Sequence, residues 1–395
     1  MDITLTSPEK EHSKLLKSKI ASEIASQGGW LPFSRFMEMA LYEPGMGYYS
    51  AGAHKLGAGG DFTTAPELSP LFGAAICSTL LPVLEGLKEK GLPTQILEFG
   101  AGTGKLASSI LSRLHDLGFS LDRYDIIEIS PDLAQRQQKH ISSIVKELKL
   151  STQCNWLSAL PKNFKGVIVA NEVIDAIPCD VIIYQNGFWY WYGVAFKDGK
   201  LIWKVGLPVE QSLLSVNLLN DNFSEGYVTE LHTPANAWMH EVATQLDMGL
   251  FLAFDYGFPE SEYYHPQRLE GTLMAHHRHL AIQDPFHLPG LCDITTHVEW
   301  SQIARTALAA NADDVFLTNQ AAYLLDAGIG DIALEIGDPG DPATFLPISN
   351  SLQKLLAESE MGELFKAFVF SKNLKDLLPE HSLEDLPGLR GRNRL

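Results

Sequence analysis

The chain has 395 residues, 45% of them apolar and 20% charged, with a formal net charge of −18. This is the composition of a folded protein long enough for one large α/β domain with insertions or two ordinary domains, and the negative charge argues against a nucleic-acid backbone or an anionic membrane as the main partner, because both need a positive field. Cys77, Cys154, Cys179 and Cys292 lie far apart without C-x-x-C spacing, and the first residues have no apolar leader core; the expectation is reduced thiols, no zinc site, no membrane span and a cytoplasmic location.

In chain order, Leu15, Leu16, Ile20 and Ile24 recur at helical spacing, and "SEIASQGGWLPFSRFMEMAL" continues as two helices around the Gly28-Gly29 break. The stretch "YEPGMGYYSAGAHKLGAGGDFTTAPELSPLFG" has no period, yet it carries too many aromatics for a disordered linker and reads as an ordered loop. A helix from Leu71 to Lys90 leads into the strand "TQILEFG", and a helix from Lys105 to His115 follows. The strand "RYDIIEIS" then ends in Glu128, a helix runs from Pro131 to Leu148, and "GVIVANEVIDAIP" supplies the next strand. "MGLFLAFDYG" is a further central strand, and "ADDVFLTN" and "LFKAFVFSK" are the last two. Short apolar runs alternating with helices predict an α/β fold with a doubly wound, mostly parallel sheet.

Two stretches interrupt this rhythm: a β-rich aromatic insertion at about 180–232, with "DGK" as a hairpin turn, and a loop-like insertion at about 258–295. Both follow the C-terminal ends of sheet strands, where an open α/β sheet binds its ligand. The expected organisation is an N-terminal region over 1–91 and a core over 92–395 that carries both insertions.

The turn "EFGAGTGKLA" places Gly100, Gly102 and Gly104 at alternate positions, which allows a tight bend and brings backbone N–H groups against a ligand. A NAD site reads G-x-G-x-x-G and holds a pyrophosphate. Here Glu98 stands two residues before the first glycine, where it would repel a pyrophosphate and suits a cation such as the α-ammonium of a methionine moiety. Glu128, at the end of the next strand, can accept both hydroxyls of a ribose. The combination favours S-adenosylmethionine (SAM) over NAD or FAD and over a turn that holds nothing.

After the buried strand that ends at Ala170, the chain presents Asn171, Glu172 and Asp175. The two acids share a face if the loop takes a helical turn; the alternative is that each caps the following turn. In "GDFTTAPELS", Asp61, Thr63 and Thr64 offer polar side chains, and Pro66 with Glu67 looks like a helix start that Thr64 caps. Asp255 and Tyr256 end a central strand. His276, His277 and His279 point different ways on an extended segment, without an acid at ligand spacing, so no metal is expected. The stripe "FWYWYGV" reads as a packed sheet face.

Taken in order, "YEPGMGYYS", "GDFTTAPELSPLFG", "LEFGAGTGKLA", "EISPDLAQRQ", "ANEVIDAIP", "FDYG", "GTLMAHHRH", "PGLCDITTHVEW" and "MGELFKAFVFS" resemble the MidA family of class I methyltransferases over nearly the whole chain. The resemblance implies a seven-stranded Rossmann-like sheet, SAM as cofactor, and an N-terminal lid over it in which Phe62 closes on the ligand. The mitochondrial members of that family are complex I assembly factors with protein-arginine methyltransferase activity. An arginine of a respiratory complex I subunit, or of a similar protein, is therefore the implied methyl acceptor. A SAM-binding assembly chaperone without turnover and a small-molecule methyltransferase are the alternatives.

Cofactor contacts are expected at Glu98, Gly100, Ala101, Gly102, Gly104, Glu128, Ile129, Ser158, Thr64, Pro66 and Glu67. Catalysis is expected at Glu172, Asp175 and Asn171, where paired carboxylates would grip a guanidinium and leave one nitrogen lone pair for attack. Substrate contacts are expected at Asp61, Phe62, Tyr256 and His279, with Asp293 and Thr295 ordering the second insertion or lining the acceptor channel. A homodimer through the β-rich insertion is also entertained.

Overall fold

The computed structural model describes residues 5–51, 64–220, 223–278 and 280–395, apart from the side chain of Asn220. The chain divides into two compact units, one comprising 55–173, 238–257 and 300–395 and the other 1–54, 174–237 and 258–299. The division therefore falls well before residue 91, and the two insertions cluster with the N-terminal helices.

The first unit holds the sheet. Its strands are β1 (Gln95–Phe99), β2 (Arg123–Ile127), β3 (Gln153–Leu157), β4 (Phe164–Asn171), β5 (Leu246–Phe258), β6 (Asp314–Asn319) and β7 (Phe365–Lys372). Among the described residues the main path runs β6-β7-β5-β4-β1-β2-β3. Strands β1 to β5 pair in parallel, and β7 runs antiparallel to both of its neighbours. This is the expected seven-strand, doubly wound arrangement. β4 is buried from Gly166 to Ala170, as a central parallel strand covered on both faces must be.

Because β1, β2, β3 and β4 point the same way, Phe99, Ile127, Leu157 and Asn171 all end on one edge of the sheet. The chain order reverses between β1 and β4, which makes the crevice above those two strands the topological switch point where such sheets hold ligands.

Helix Pro70–Glu89 packs into the core of this unit. Contrary to the expectation from sequence, it is long and apolar enough to cross a membrane, but most of it is buried inside the protein. Gly73 lets it cross helix Lys105–Asp116 closely, since a Cβ there would stand 2.5 Å from the Ser109 Cβ.

The second unit starts with helix Ser7–Ser26, opened by a capping box between Thr6 and Glu9, and helix Phe33–Tyr42. It continues with a four-stranded antiparallel sheet over Asp180–Gln185, Phe188–Lys197, Lys200–Pro208 and Val228–Leu231. Asp198 and Gly199 both take left-handed backbones at the hairpin tip, as a tight "DG" turn requires. Most of the aromatic stripe packs, Tyr192 stacking on Trp203 at 4.7 Å and Trp203 on Phe33 at 5.0 Å, while Phe188 at its start is exposed.

The insertion after β5 is not only loop. Met274–His277 pairs with Leu280–Ile282 and Asp293–Thr295 in a small antiparallel sheet.

Candidate cofactor and methyl-transfer site

The glycine turn leaves β1 and opens helix Lys105–Asp116. Gly100, Gly102 and Gly104 all have left-handed backbones, with φ of 59°, 54° and 85°, a region that costs other residues about 1–2 kcal/mol each. At Gly100 a side chain would also meet Val173 at 3.1 Å. The turn is tied down by Gly100 N–H donating to the Ile127 carbonyl at 2.9 Å and Gly104 N–H donating to Ala101 at 2.7 Å. Gly104 caps the helix without a side chain, so no capping side chain satisfies the first-turn N–H groups. That helix end suits a carboxylate.

Glu98 lies in β1 and is only 2% exposed. Tyr124 on β2 donates its hydroxyl to Glu98 Oε2 at 2.6 Å. Burial pushes the Glu98 carboxyl up to about 7, against the lowering effect of the Tyr124 bond and with a smaller push from Glu128. A buried acid poised near neutrality gains from a neighbouring cation.

Glu128 follows β2 directly. Its Oε1 accepts the Ser130 N–H at 2.9 Å and its Oε2 accepts Gln137 Nε2–H at 2.8 Å. Burial raises its pKa, and those bonds partly offset the rise. Each oxygen keeps a lone pair beyond these donors, enough for the two hydroxyls of a ribose. Ile129 beside it is 65% exposed, an apolar surface fit for a purine face, and Ser158 follows β3 in an exposed bend.

Together these features fit SAM: a positive helix end for the carboxylate, a buried acid for the ammonium, and an acceptor pair for the ribose. When bound, SAM supplies a methyl group on a positively charged sulfur.

Thr64 precedes the short helix Ala65–Leu68, but its side chain makes no capping hydrogen bond, contrary to expectation. Pro66 is buried in that helix. The Glu67 carboxylate bonds the Thr103 hydroxyl and pairs with Lys105 at 2.7 Å. Its observed partners are thus the glycine turn and the start of the next helix, so it braces the turn.

Asn171 ends β4, and its Nδ2 lies 3.3 Å from Glu172 Oε1. Glu172 takes a left-handed backbone (φ 51°) and donates its N–H to the Phe254 carbonyl on β5 at 2.8 Å. A bulky residue in this region stores strain, which persists where the surroundings impose it. The outlier sits at the residue the sequence singles out.

The helical turn expected to align Glu172 with Asp175 does not form. The left-handed Glu172 breaks it, and a turn bond runs from Ile177 N–H to the Ile174 carbonyl at 3.1 Å. Asp175 belongs to the second unit, where it is 5% exposed and its carbonyl accepts the Thr296 N–H. Its charge there, with that of Asp293, helps hold the buried Tyr49 hydroxyl well above its usual range, burial being the main cause. Tyr49 donates to Asp293 Oδ2 at 2.9 Å, and Thr295 is buried in the adjacent strand.

Tyr256, near the end of β5, packs edge-on against Phe365 at 5.4 Å. Asp61, Phe62 and His279 lie outside the described residues. His276 and His277 alternate on a strand, and His277 Nδ1 bonds the Leu291 carbonyl at 2.7 Å, a structural role. Among the described residues no group of His, Cys, Asp or Glu could hold a metal.

Residue-level reasoning missed Tyr124, Thr103 and Gln137. The available signal for Gln137 was its place in the Leu133, Gln137, Ile141 stripe of an otherwise amphipathic helix, where a polar residue is out of pattern.

Residues 75–316 match the sequence profile described as "Putative S-adenosyl-L-methionine-dependent methyltransferase". The crystal structure of a COG1565 superfamily member from Burkholderia thailandensis, bound to S-adenosyl-homocysteine, superposes with a TM-score of 0.88. It is 44% identical and covers 96% of this chain and 98% of its own. The protein arginine methyltransferase NDUFAF7 of zebrafish (Danio rerio), a mitochondrial protein, is 27% identical over 90% of this chain and 86% of its own length. Its human (Homo sapiens) counterpart is 24% identical over 90% and 82%. With the glycine turn, the two acids and the strand order already in place, these similarities show that the chain belongs to this family of SAM-dependent methyltransferases.

Proposed function

We propose that the chain methylates an arginine side chain of a partner protein. The methyl transfer itself goes with the family; the choice of arginine is supported by the names of relatives about a quarter identical to this chain. The observation in this chain that carries the reading is Glu172, a carboxylate on a left-handed backbone at the end of β4, braced by β5 and beside Asn171. Arginine is a poor nucleophile because its charge is delocalised and its pKa exceeds about 12.

A carboxylate that accepts one guanidinium N–H draws positive charge toward that nitrogen and frees the lone pair of another. In the transfer a nitrogen–carbon bond forms as the methyl–sulfur bond breaks, and the methylated nitrogen sheds a proton. Glu172 is the group assigned to orient the guanidinium and take that proton, and Asn171 steadies the carboxylate. A subunit of respiratory complex I is our preferred acceptor, and the cytoplasm our preferred site of action.

The test is incubation of purified protein with methyl-labelled SAM and host lysate, followed by mass mapping of the labelled residue. We expect label on arginine, lost in Glu172→Gln while S-adenosyl-homocysteine binding stays within about threefold. Label on another residue type, or transfer undiminished in Glu172→Gln, removes the assignment.

A further inference from the structure

We infer that Gln137 is a positioning residue for the cofactor, a buried amide that fixes the glycine turn and the Glu128 carboxylate in one relation. Gln137 is fully buried on helix Pro131–Glu147, and its amide reaches three other elements. Nε2 donates to the Gly102 carbonyl at 2.9 Å and to Glu128 Oε2 at 2.8 Å. Oε1 accepts the Trp156 indole N–H, from the end of β3, at 2.9 Å.

The orientation of the amide is not interchangeable. An indole N–H can only donate and a carbonyl can only accept, so the amide oxygen must face Trp156 and the nitrogen must face Gly102 and Glu128. Three of its four hydrogen-bonding positions are used, both N–H groups and one lone pair of the oxygen. Glutamate at this position would set a carboxylate against a carbonyl and a second carboxylate. Methionine would keep the volume but leave the Gly102 carbonyl and the Trp156 N–H unpaired in the interior.

This geometry bears on cofactor binding in two ways. Drawing the Gly102 carbonyl inward turns the other end of the same trans peptide, the Thr103 N–H, away from Gln137. Occupying one lone pair of Glu128 Oε2 fixes the carboxylate plane, so the remaining lone pairs keep their direction for the ribose. Gln137 acts on the ligand only through these two partners. The residue is thus distinct from those that touch the cofactor, and the inference rests on cofactor binding rather than on the choice of methyl acceptor.

The test is a double-mutant cycle on the affinity for S-adenosyl-homocysteine, measured by calorimetry on the full chain with Gln137→Met, Glu128→Gln and the pair. We expect Gln137→Met to weaken binding roughly tenfold or more. The double variant should lose clearly less than the product of the two single losses, because the two share the Glu128 carboxylate while the Gly102 bond acts alone. Affinity within twofold of the parent, even with a lowered melting temperature, overturns the inference, and so do losses that multiply in the double variant. Should Gln137→Met fail to fold, Trp156→Phe removes the N–H that anchors the amide oxygen while keeping an aromatic ring in place. A loss of affinity of about threefold or more supports the role, and unchanged affinity overturns it.

Discussion

At Glu98 burial and ligand charge act in opposite directions. The carboxyl sits in the sheet interior with its pKa raised from 4.5 to about 7, chiefly because burial disfavours its charge. The folded chain therefore keeps a proton between these two values that the unfolded chain gives up. The stability linked to that proton is fully present below 4.5 and is lost as pH rises through about 7. A cationic ligand beside the same carboxyl favours the ionised form, so binding below neutrality should expel the proton. Calorimetry of S-adenosyl-homocysteine binding at about pH 6, in buffers of different ionisation enthalpy, should show close to one proton released, falling toward zero near pH 8. Glu98→Gln should show no release at either pH. Absence of release from the parent protein at pH 6 would detach Glu98 from the ammonium role, whatever the affinity.

At the scale of elements, the core strands were legible because their signals are strong. β4 and β5 are long apolar runs, and the glycines of the turn are needed for its left-handed backbone. The edge strand β3 escaped the residue-by-residue reading, since "QCNWL" has no fully buried residue and shows neither a continuous apolar run nor clean alternation. The strands of the second insertion were read as loop because each is three or four residues long and gains stability only from its neighbours. The helical turn that would set the two acids of the β4 loop on one face is excluded by the left-handed backbone of Glu172, which sequence spacing does not report.

One link in the second unit shows how an insertion is held without an apolar pattern. Glu230, on strand Val228–Leu231, is fully buried and accepts Thr272 N–H at 2.8 Å, Leu273 N–H at 2.9 Å and the Tyr263 hydroxyl at 2.7 Å. Gly271 makes the approach feasible, since a Cβ there would meet Glu230 Oε1 at 2.3 Å. Glu230→Ala would strand two backbone donors in the interior. It should lower unfolding free energy by about 3 kcal/mol in a denaturant titration. A loss below about 0.5 kcal/mol would mean that solvent or relaxation replaces the carboxylate.

At the scale of the whole molecule, charge is the property that bears most directly on the choice of acceptor. The chain carries −18 with a pI near 5.1. Even its basic C-terminal segment is partly neutralised, because Arg390 pairs with Asp326 at 3.2 Å and Arg394 with Glu363. An arginine-bearing partner is drawn by such a field over distances beyond contact, and salt screens that attraction within a Debye length of about 8–10 Å. Of the acids assigned to the cofactor, by contrast, Glu98 is buried and Glu128 half-buried, where screening is weaker. Raising salt from about 50 to about 300 mM should therefore increase KM for an arginine-rich peptide several-fold, while KM for SAM moves by less than about twofold. A peptide KM that does not respond to salt would point away from a basic acceptor. A SAM KM that rises in parallel would place the electrostatic effect at the cofactor instead, and the acidity of the chain would then carry no information about its substrate.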